Sequence, residues 1–212
     1  MTAKASKPPA QPRRTQAERT EESTGRLIEA AIDLILERGC RGTTLKDVGE
    51  KAGYSRGLAN YRFGSKDGLF LEVVLYSRRH WRAELERELG DKRGLDAILA
   101  ATDAFRRYLS GAHRHYQAMI LLWYDAVGHP SLLTTRLAAH HNAQLRDVRR
   151  WVEQGIVDGT IDPATDPSGF AASFYSCMFG TVYQWQLQPD RFDLDGVFDN
   201  YRFLVLRALK PS

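Results

Sequence analysis

Thr43 to Asp67 reads TTLKDVGEKAGYSRGLANYRFGSKD, the most structured local pattern in the chain. Its spacing predicts two short helices joined by a tight turn, with a third helix opening just beyond. Thr43 and Thr44 open the first, and Asp47 stands three residues after Thr44, the spacing of a capping box. Leu45, Val48 and Ala52 fall on one face. Gly49 lets a neighbouring helix come close, and Gly53 suits the left-handed backbone that breaks the first helix. Ser55 then caps the second, with Gly57 and Leu58 holding it near its partner. This is the helix-turn-helix pattern, in which the later helix lies in the major groove of DNA.

The polar residues of that later helix suit such a task. Arg56 is able to give paired hydrogen bonds to guanine and Asn60 to adenine, with Tyr61 and Arg62 in reach of bases or phosphates. Thr44, Lys46, Tyr54, Ser55 and Gly57 complete the candidate DNA-contacting set. Ser65 is the expected cap of the next helix, which places Lys66 in its first turn. A cation there opposes the helix dipole unless an anion lies nearby, and a DNA phosphate is such an anion. The plainer reading of Lys66 is an exposed lysine of no consequence.

Charge distribution points the same way. Residues 1–70 carry 13 Lys+Arg against 9 Asp+Glu, whereas residues 71–212 carry 17 of each. The whole excess lies in the first third, as expected of a polyanion binder. Residues 1–22 are Pro-rich, basic and poor in large apolar groups, which predicts a disordered arm. Lys4, Lys7, Arg13, Arg14 and Arg19 there suit phosphates or a minor groove, or simply a solubilising tail. Ser23 and Thr24 are the expected caps of a first helix whose Leu27, Ile28, Ala31, Leu34 and Ile35 form one apolar stripe ending at Gly39. This helix is read as a brace without chemistry of its own.

Residues 24–70 resemble the DNA-binding domain of the tetracycline-repressor (TetR) family of bacterial regulators. The resemblance rests on RLIEAAIDLILERGCRGTTLKDV, the turn AGYS, the following RGLANYRF, and Lys66. Gly49, Asn60 and Arg62 depart from the alanine, tyrosine and histidine usual in the family. The resemblance implies an all-α fold of about nine helices: a basic arm over residues 1–22, a three-helix DNA-binding domain over 23–68, and a helical ligand-binding and dimerisation domain over 69–212.

The rest of the chain shows helical periodicity without strand alternation. The expected helices are Lys66 to Leu89, Leu95 to Ser110, His113 to Val127, a long one from Pro130 to about Val157, Ser168 to Leu187, and Asp195 to Leu209. The helix from Ser168 mixes small residues, Gly180 among them, with Phe170, Phe174 and Trp185. Tyr201, Leu204 and Val205 line one face of the last helix. Together they are the expected dimer interface, a four-helix contact with a second copy. Phe105, Tyr116, Trp123, Tyr124, Phe174 and Tyr175 are an aromatic surplus readable as plain core. By the family resemblance they line an effector cavity, with Met178 and His141.

Other chemistry is unsupported. No apolar run approaches the ~18 residues of a membrane span, and the N-terminus has no apolar signal segment. Cys40 and Cys177 suit a reducing cytoplasm rather than a disulfide scaffold. HExxH, paired CxxC, phosphate-loop and nucleophile-elbow motifs are absent from the sequence. His140 and His141 are neighbours about 100° apart on a helix and cannot share one ion. No metal, cofactor or catalytic residue is therefore expected. The expected function is a homodimeric repressor released from a near-palindromic double-stranded operator by a small apolar or aromatic effector, with no membrane partner. The alternatives are an architectural DNA binder without a ligand and a helical enzyme.

Overall fold

Among the described residues eight helices follow one another: α1 (Gln16–Gly42), α2 (Leu45–Lys51), α3 (Arg56–Phe63), α4 (Lys66–Leu89), α5 (Gly94–Ala126), α6 (Leu132–Asp158), α7 (Pro167–Leu187) and α8 (Leu194–Leu209). They belong to a computed structural model that describes residues 15–128 and 130–211, the side chains of Arg56, Ala112 and His113 falling outside that description. No strand occurs among the described residues, so the fold is all-α.

Three boundaries differ from expectation, each for a local reason. Helix α1 begins at Gln16, because Thr15 and Glu18 close a capping box: the Thr15 N–H donates to Glu18 Oε2 at 2.6 Å and the Glu18 N–H to Thr15 Oγ1 at 3.2 Å. Ser23 and Thr24 lie inside the helix and turn their hydroxyls back onto the Thr20 carbonyl. The last part of the expected arm, Arg19 included, is thus helical, and the rest of it lies outside the described residues. Helix α5 runs through Gly111 as one helix instead of two. A mid-helix glycine costs about 1 kcal/mol, and burial on both sides of it, from Phe105 and Leu109 to Tyr116 and Ile120, outweighs that. Helix α6 is capped by Ser131, which accepts from the Thr134 N–H at 3.1 Å, so Pro130 precedes the helix rather than opening it.

The core is continuous from end to end. Leu27, Ile32, Leu34 and Ile35 of α1 bury against Val48, Ala59 and Leu69, and the same cluster extends through Ile98 and Ile120 of α5 to Val152 of α6 and Val182 of α7. Helix α4 belongs to both ends: its first turns, with Leu69, Phe70 and Val73, sit in this core, and its later turns face α6. Where α5 begins and α6 ends the backbones nearly touch. A Cβ on Gly155 would lie 3.1 Å from the Gly94 Cα and 2.5 Å from Ile161 Cδ1, a crossing that glycine permits.

A polar seam also ties α1 to α4 and α5, in the helix read as a passive brace. Glu29 accepts from the Tyr76 hydroxyl at 2.8 Å, from Arg114 at 3.1 Å and from the His115 Nε2 side at 3.1 Å, while Arg114 also pairs with Asp33. Burial holds the His115 pKa below the usual histidine value despite Glu29 beside it. His113, the expected start of a helix, lies inside α5, as does His115.

Candidate nucleic-acid interface and interior cavities

The turn between α2 and α3 is built as its residues require. Thr44 caps α2, accepting from the Asp47 N–H at 3.2 Å and donating its hydroxyl to Asp47 Oδ2 at 2.8 Å. Thr43, fully buried, donates instead to the Gly39 carbonyl at 3.0 Å. Gly53 takes a φ of +77°, and the Tyr54 N–H closes the turn on the Gly49 carbonyl at 2.9 Å. Ser55 precedes α3 in extended backbone but makes no side-chain cap bond.

Helix α3 docks through Ala59, which is 0% exposed, and presents Gly57, Asn60 and Tyr61 outward, Tyr61 at 85% exposure. Thr44, Lys46 and Ser55 are also exposed, and Tyr54 is half-buried. Arg56 opens α3, but its side chain lies outside the described set.

Two expected contacts are drawn elsewhere. Arg62 turns inward, where its guanidinium reaches the Ser23 hydroxyl of α1 at 3.5 Å, so it braces α3 against α1 instead of facing outward. Lys66 donates to the Arg41 carbonyl at 3.2 Å and lies 5.4 Å from the centre of the Phe70 ring. The negative end of α1 thus offsets the unfavourable start of α4, and an external phosphate is not needed to explain this lysine. These positions lie 39 and 25 residues from their partners, a separation that no local motif reveals.

The aromatic set divides between separate spaces. A cleft of about 350 Å³ between α5, α6 and α7 is walled by Trp123, Tyr124, Leu137, His141 and Phe179. Trp123 meets His141 edge-on at 5.8 Å and stacks obliquely on Phe179 at 4.9 Å. Trp123 Nε1 and His141 Nδ1 are buried without a hydrogen-bond partner. Phe105, Tyr116, Phe174, Tyr175 and Met178, expected in the same cavity, instead surround a void of only about 20 Å³. Their rings interlock, Phe105 on Tyr116 at 5.0 Å and Phe174 on Tyr175 at 5.5 Å, so here the aromatics are packed core. A third space, about 260 Å³, opens between α4 and α6, with Tyr175 at its edge. Sequence reasoning missed Phe179, Gln144 and the α4 residues Arg78 and Trp81 as cavity lining; Arg78 and Trp81 stand three apart, on one helix face, but nothing local tells what that face meets.

The expected dimer contacts also divide. Phe174 and Val205 are 4% and 3% exposed within the protomer and cannot serve as contact surface. Phe170, Gly180, Trp185 and Tyr201 are half-buried. Leu204 is exposed, joined by Tyr183 and Leu187 on α7 and Phe203 on α8, none of them anticipated. Among the described residues no helix is long and apolar enough to cross a membrane, and no cluster of His, Cys, Asp and Glu is placed to hold a metal ion.

A family model described as "Bacterial regulatory proteins, tetR family" matches residues 27–73. The regulator SrpR of Pseudomonas putida is 25% identical over 175 residues, covering 81% of this chain and 78% of its own. CymR of the same species is 46% identical over 63 residues, 30% of this chain and 29% of its own. Among solved structures, the complex of SmeT with triclosan superposes with a TM-score of 0.75 at 22% identity, over 89% of this chain and 92% of that one. SmeT is a repressor of a multidrug efflux pump of Stenotrophomonas maltophilia.

Proposed function

Starting from a chain that belongs to the tetR family of bacterial regulatory proteins and is a transcriptional regulator, not an enzyme, we propose that it is a cytoplasmic homodimeric repressor that leaves a near-palindromic operator when a small apolar or aromatic molecule enters its helical body. The observation that carries the DNA side is α3: pinned through Ala59, it presents Gly57, Asn60 and Tyr61 to solvent on a rigid support. Arg56, at the first position of the same helix, is assigned to base reading with Asn60. Thr44, Lys46 and Ser55 are assigned to phosphates, and Lys66 helps set the position of α4 against α1.

The effector side rests on the Trp123 cleft, whose volume falls within the ~300–1,000 Å³ usual for ligand sites. Its wall is mostly apolar, with Thr134 and Tyr124 adding hydroxyls, and the unpartnered Trp123 N–H and His141 ring nitrogen suit one acceptor and one donor on a largely apolar ligand. That SmeT is recorded with triclosan, a chlorinated aromatic, supports the same ligand class. The exposed Tyr183, Leu187, Phe203 and Leu204 on α7 and α8 are the surface proposed to pair two copies. A two-fold pair presents two α3 helices, hence the palindrome. The effector shifts the balance between DNA-competent and incompetent states, typically by ~1–3 kcal/mol.

Selection of bound duplexes from a random pool by the full-length protein tests the DNA side. Enrichment of an inverted repeat is expected; no enrichment over random sequence at low salt sinks the reading. Triclosan is then titrated against tryptophan fluorescence and against the selected duplex. Quenching with release is expected, and the quenching should be lost in Ala138→Phe, which fills the cleft.

A further inference from the structure

The cavity between α4 and α6 is chemically unlike the Trp123 cleft. His140 and His141 are adjacent on α6, yet His140 lines the α4–α6 cavity and His141 the other, so the two spaces lie on different sides of that helix. Arg78, Arg82, Glu86, Asp147 and Arg150 supply the charges at its wall. Arg82 pairs with Glu86 at 2.6 Å and Arg150 with Asp147 at 3.0 Å. Arg78, half-buried, has no carboxylate within ion-pair distance among the described residues. Beside it, His140 is held neutral: burial, and then the Arg78 charge, push its pKa down to about 4. Its Nδ1 and the buried Gln144 Oε1 have no hydrogen-bond partner. A half-turn of that amide, whose two ends have the same shape, exposes its N–H₂ in place of the oxygen. Trp81 and Trp151 supply flat apolar wall.

From these features we infer that the α4–α6 cavity is a second binding site, specific for a small aromatic carboxylate. Its carboxylate takes a bidentate place on the Arg78 guanidinium with the Gln144 amide as an added donor, and its ring lies against the indoles of Trp81 and Trp151. The half-buried Arg78 guanidinium has no carboxylate partner among the described residues, so its donors are free for a ligand, and Arg fits carboxylates two hydrogen bonds at a time. The volume of about 260 Å³ lies just below the ~300–1,000 Å³ of drug-sized sites, so the ligand has one or two rings. One wall of the site is α4, whose first turn joins the helix-turn-helix unit, so an occupant bears directly on the helix that links the two regions. Occupancy does not depend on the repressor reading, and it is measured without DNA.

Isothermal titration of the full-length protein with 2-naphthoate and with 2-naphthamide, its uncharged match in shape, provides the test. The wild type is expected to prefer the acid by about tenfold or more, the worth of a charge-assisted hydrogen bond. Arg78→Gln removes the preference and leaves the amide unchanged; Arg78→Lys keeps a reduced preference; Ala138→Phe, in the other cleft, changes neither. Equal binding of the two compounds, no binding of either, a preference that survives Arg78→Gln, or one abolished by Ala138→Phe each overturns the inference. Circular dichroism of each variant separates loss of the site from loss of fold, and Arg78→Lys carries the test alone if Arg78→Gln does not fold.

Discussion

The α1–α3 unit and the α4–α8 body treat polar groups in opposite ways. In the first, polar side chains at the helix junctions close on the backbone or on each other: buried Thr43 on the Gly39 carbonyl, half-buried Lys66 on the Arg41 carbonyl, exposed Lys51 on exposed Glu37 at 2.6 Å. Arg62 Nε is an exception. The groups left over, Asn60 and Tyr61, point to solvent. In the body, Trp123, His140, His141 and Gln144 each bury a nitrogen or oxygen without a partner at a cavity wall, while His115 Nδ1 and Gln186 Nε2 do so away from the three spaces described. A buried polar group left unpaired costs roughly 1–3 kcal/mol, and four of these groups stand where something else is able to bind. One region acts through what it presents, the other through what it leaves unfilled.

The largest expected effect asks whether the two regions are thermodynamically separate at all. Leu34→Ala, in the shared core, is expected to lower the unfolding free energy by about 2–5 kcal/mol, in a single urea transition because the core is continuous. Two transitions would break that picture and make the comparison one between independent folding units. Next comes pH. The folded His140 pKa is depressed from 6.5 to about 4, so the unfolded chain binds a proton first as pH falls. Its contribution is present above pH 6.5 and is lost between there and about pH 4, to a total near 3 kcal/mol. In urea titrations across that window, His140→Asn should lose less stability than the wild type; identical slopes would mean that the buried ring tolerates charge.

Smaller effects separate presenting from bracing. Asn60→Ala is expected to weaken the selected operator by about 1–3 kcal/mol, with binding to random duplex unchanged and stability within about 0.5 kcal/mol. Arg62→Ala should do the reverse, lowering stability while keeping base preference, since its guanidinium faces Ser23. Smallest is Lys46→Ala: by fluorescence anisotropy, binding to all duplexes weakens modestly and the salt slope flattens by about one unit. An unchanged slope removes Lys46 from the phosphate set.

What was legible follows from range along the chain. The α2 cap at Thr44, the turn at Gly53 and the α3 boundaries rest on interactions within about four residues, which spacing and residue type report directly. Gly111 misled because propensity was read without the burial that overrides it. The aromatic surplus was visible, but composition cannot separate interlocked rings such as Phe105 and Tyr116 from a wall such as Trp123. The exposed Tyr183 and Leu187 escaped notice because one helical face looks apolar whether it meets its own protomer or none.

By itself the sequence determined the all-α class, the helix-turn-helix and its outward Asn60 and Tyr61, because caps, glycine turns and helical periodicity are local and carry their own stereochemistry. The packing of distant helices turns Arg62 onto α1, seats Lys66 on the carboxyl end of α1, makes Glu29 of α1 a junction between the two regions, and gives His140 and His141 to different cavities. Those outcomes depend on which helices meet and on how completely their side chains fill the space between them. Packing settles both across tens to a hundred residues, where no periodicity reaches.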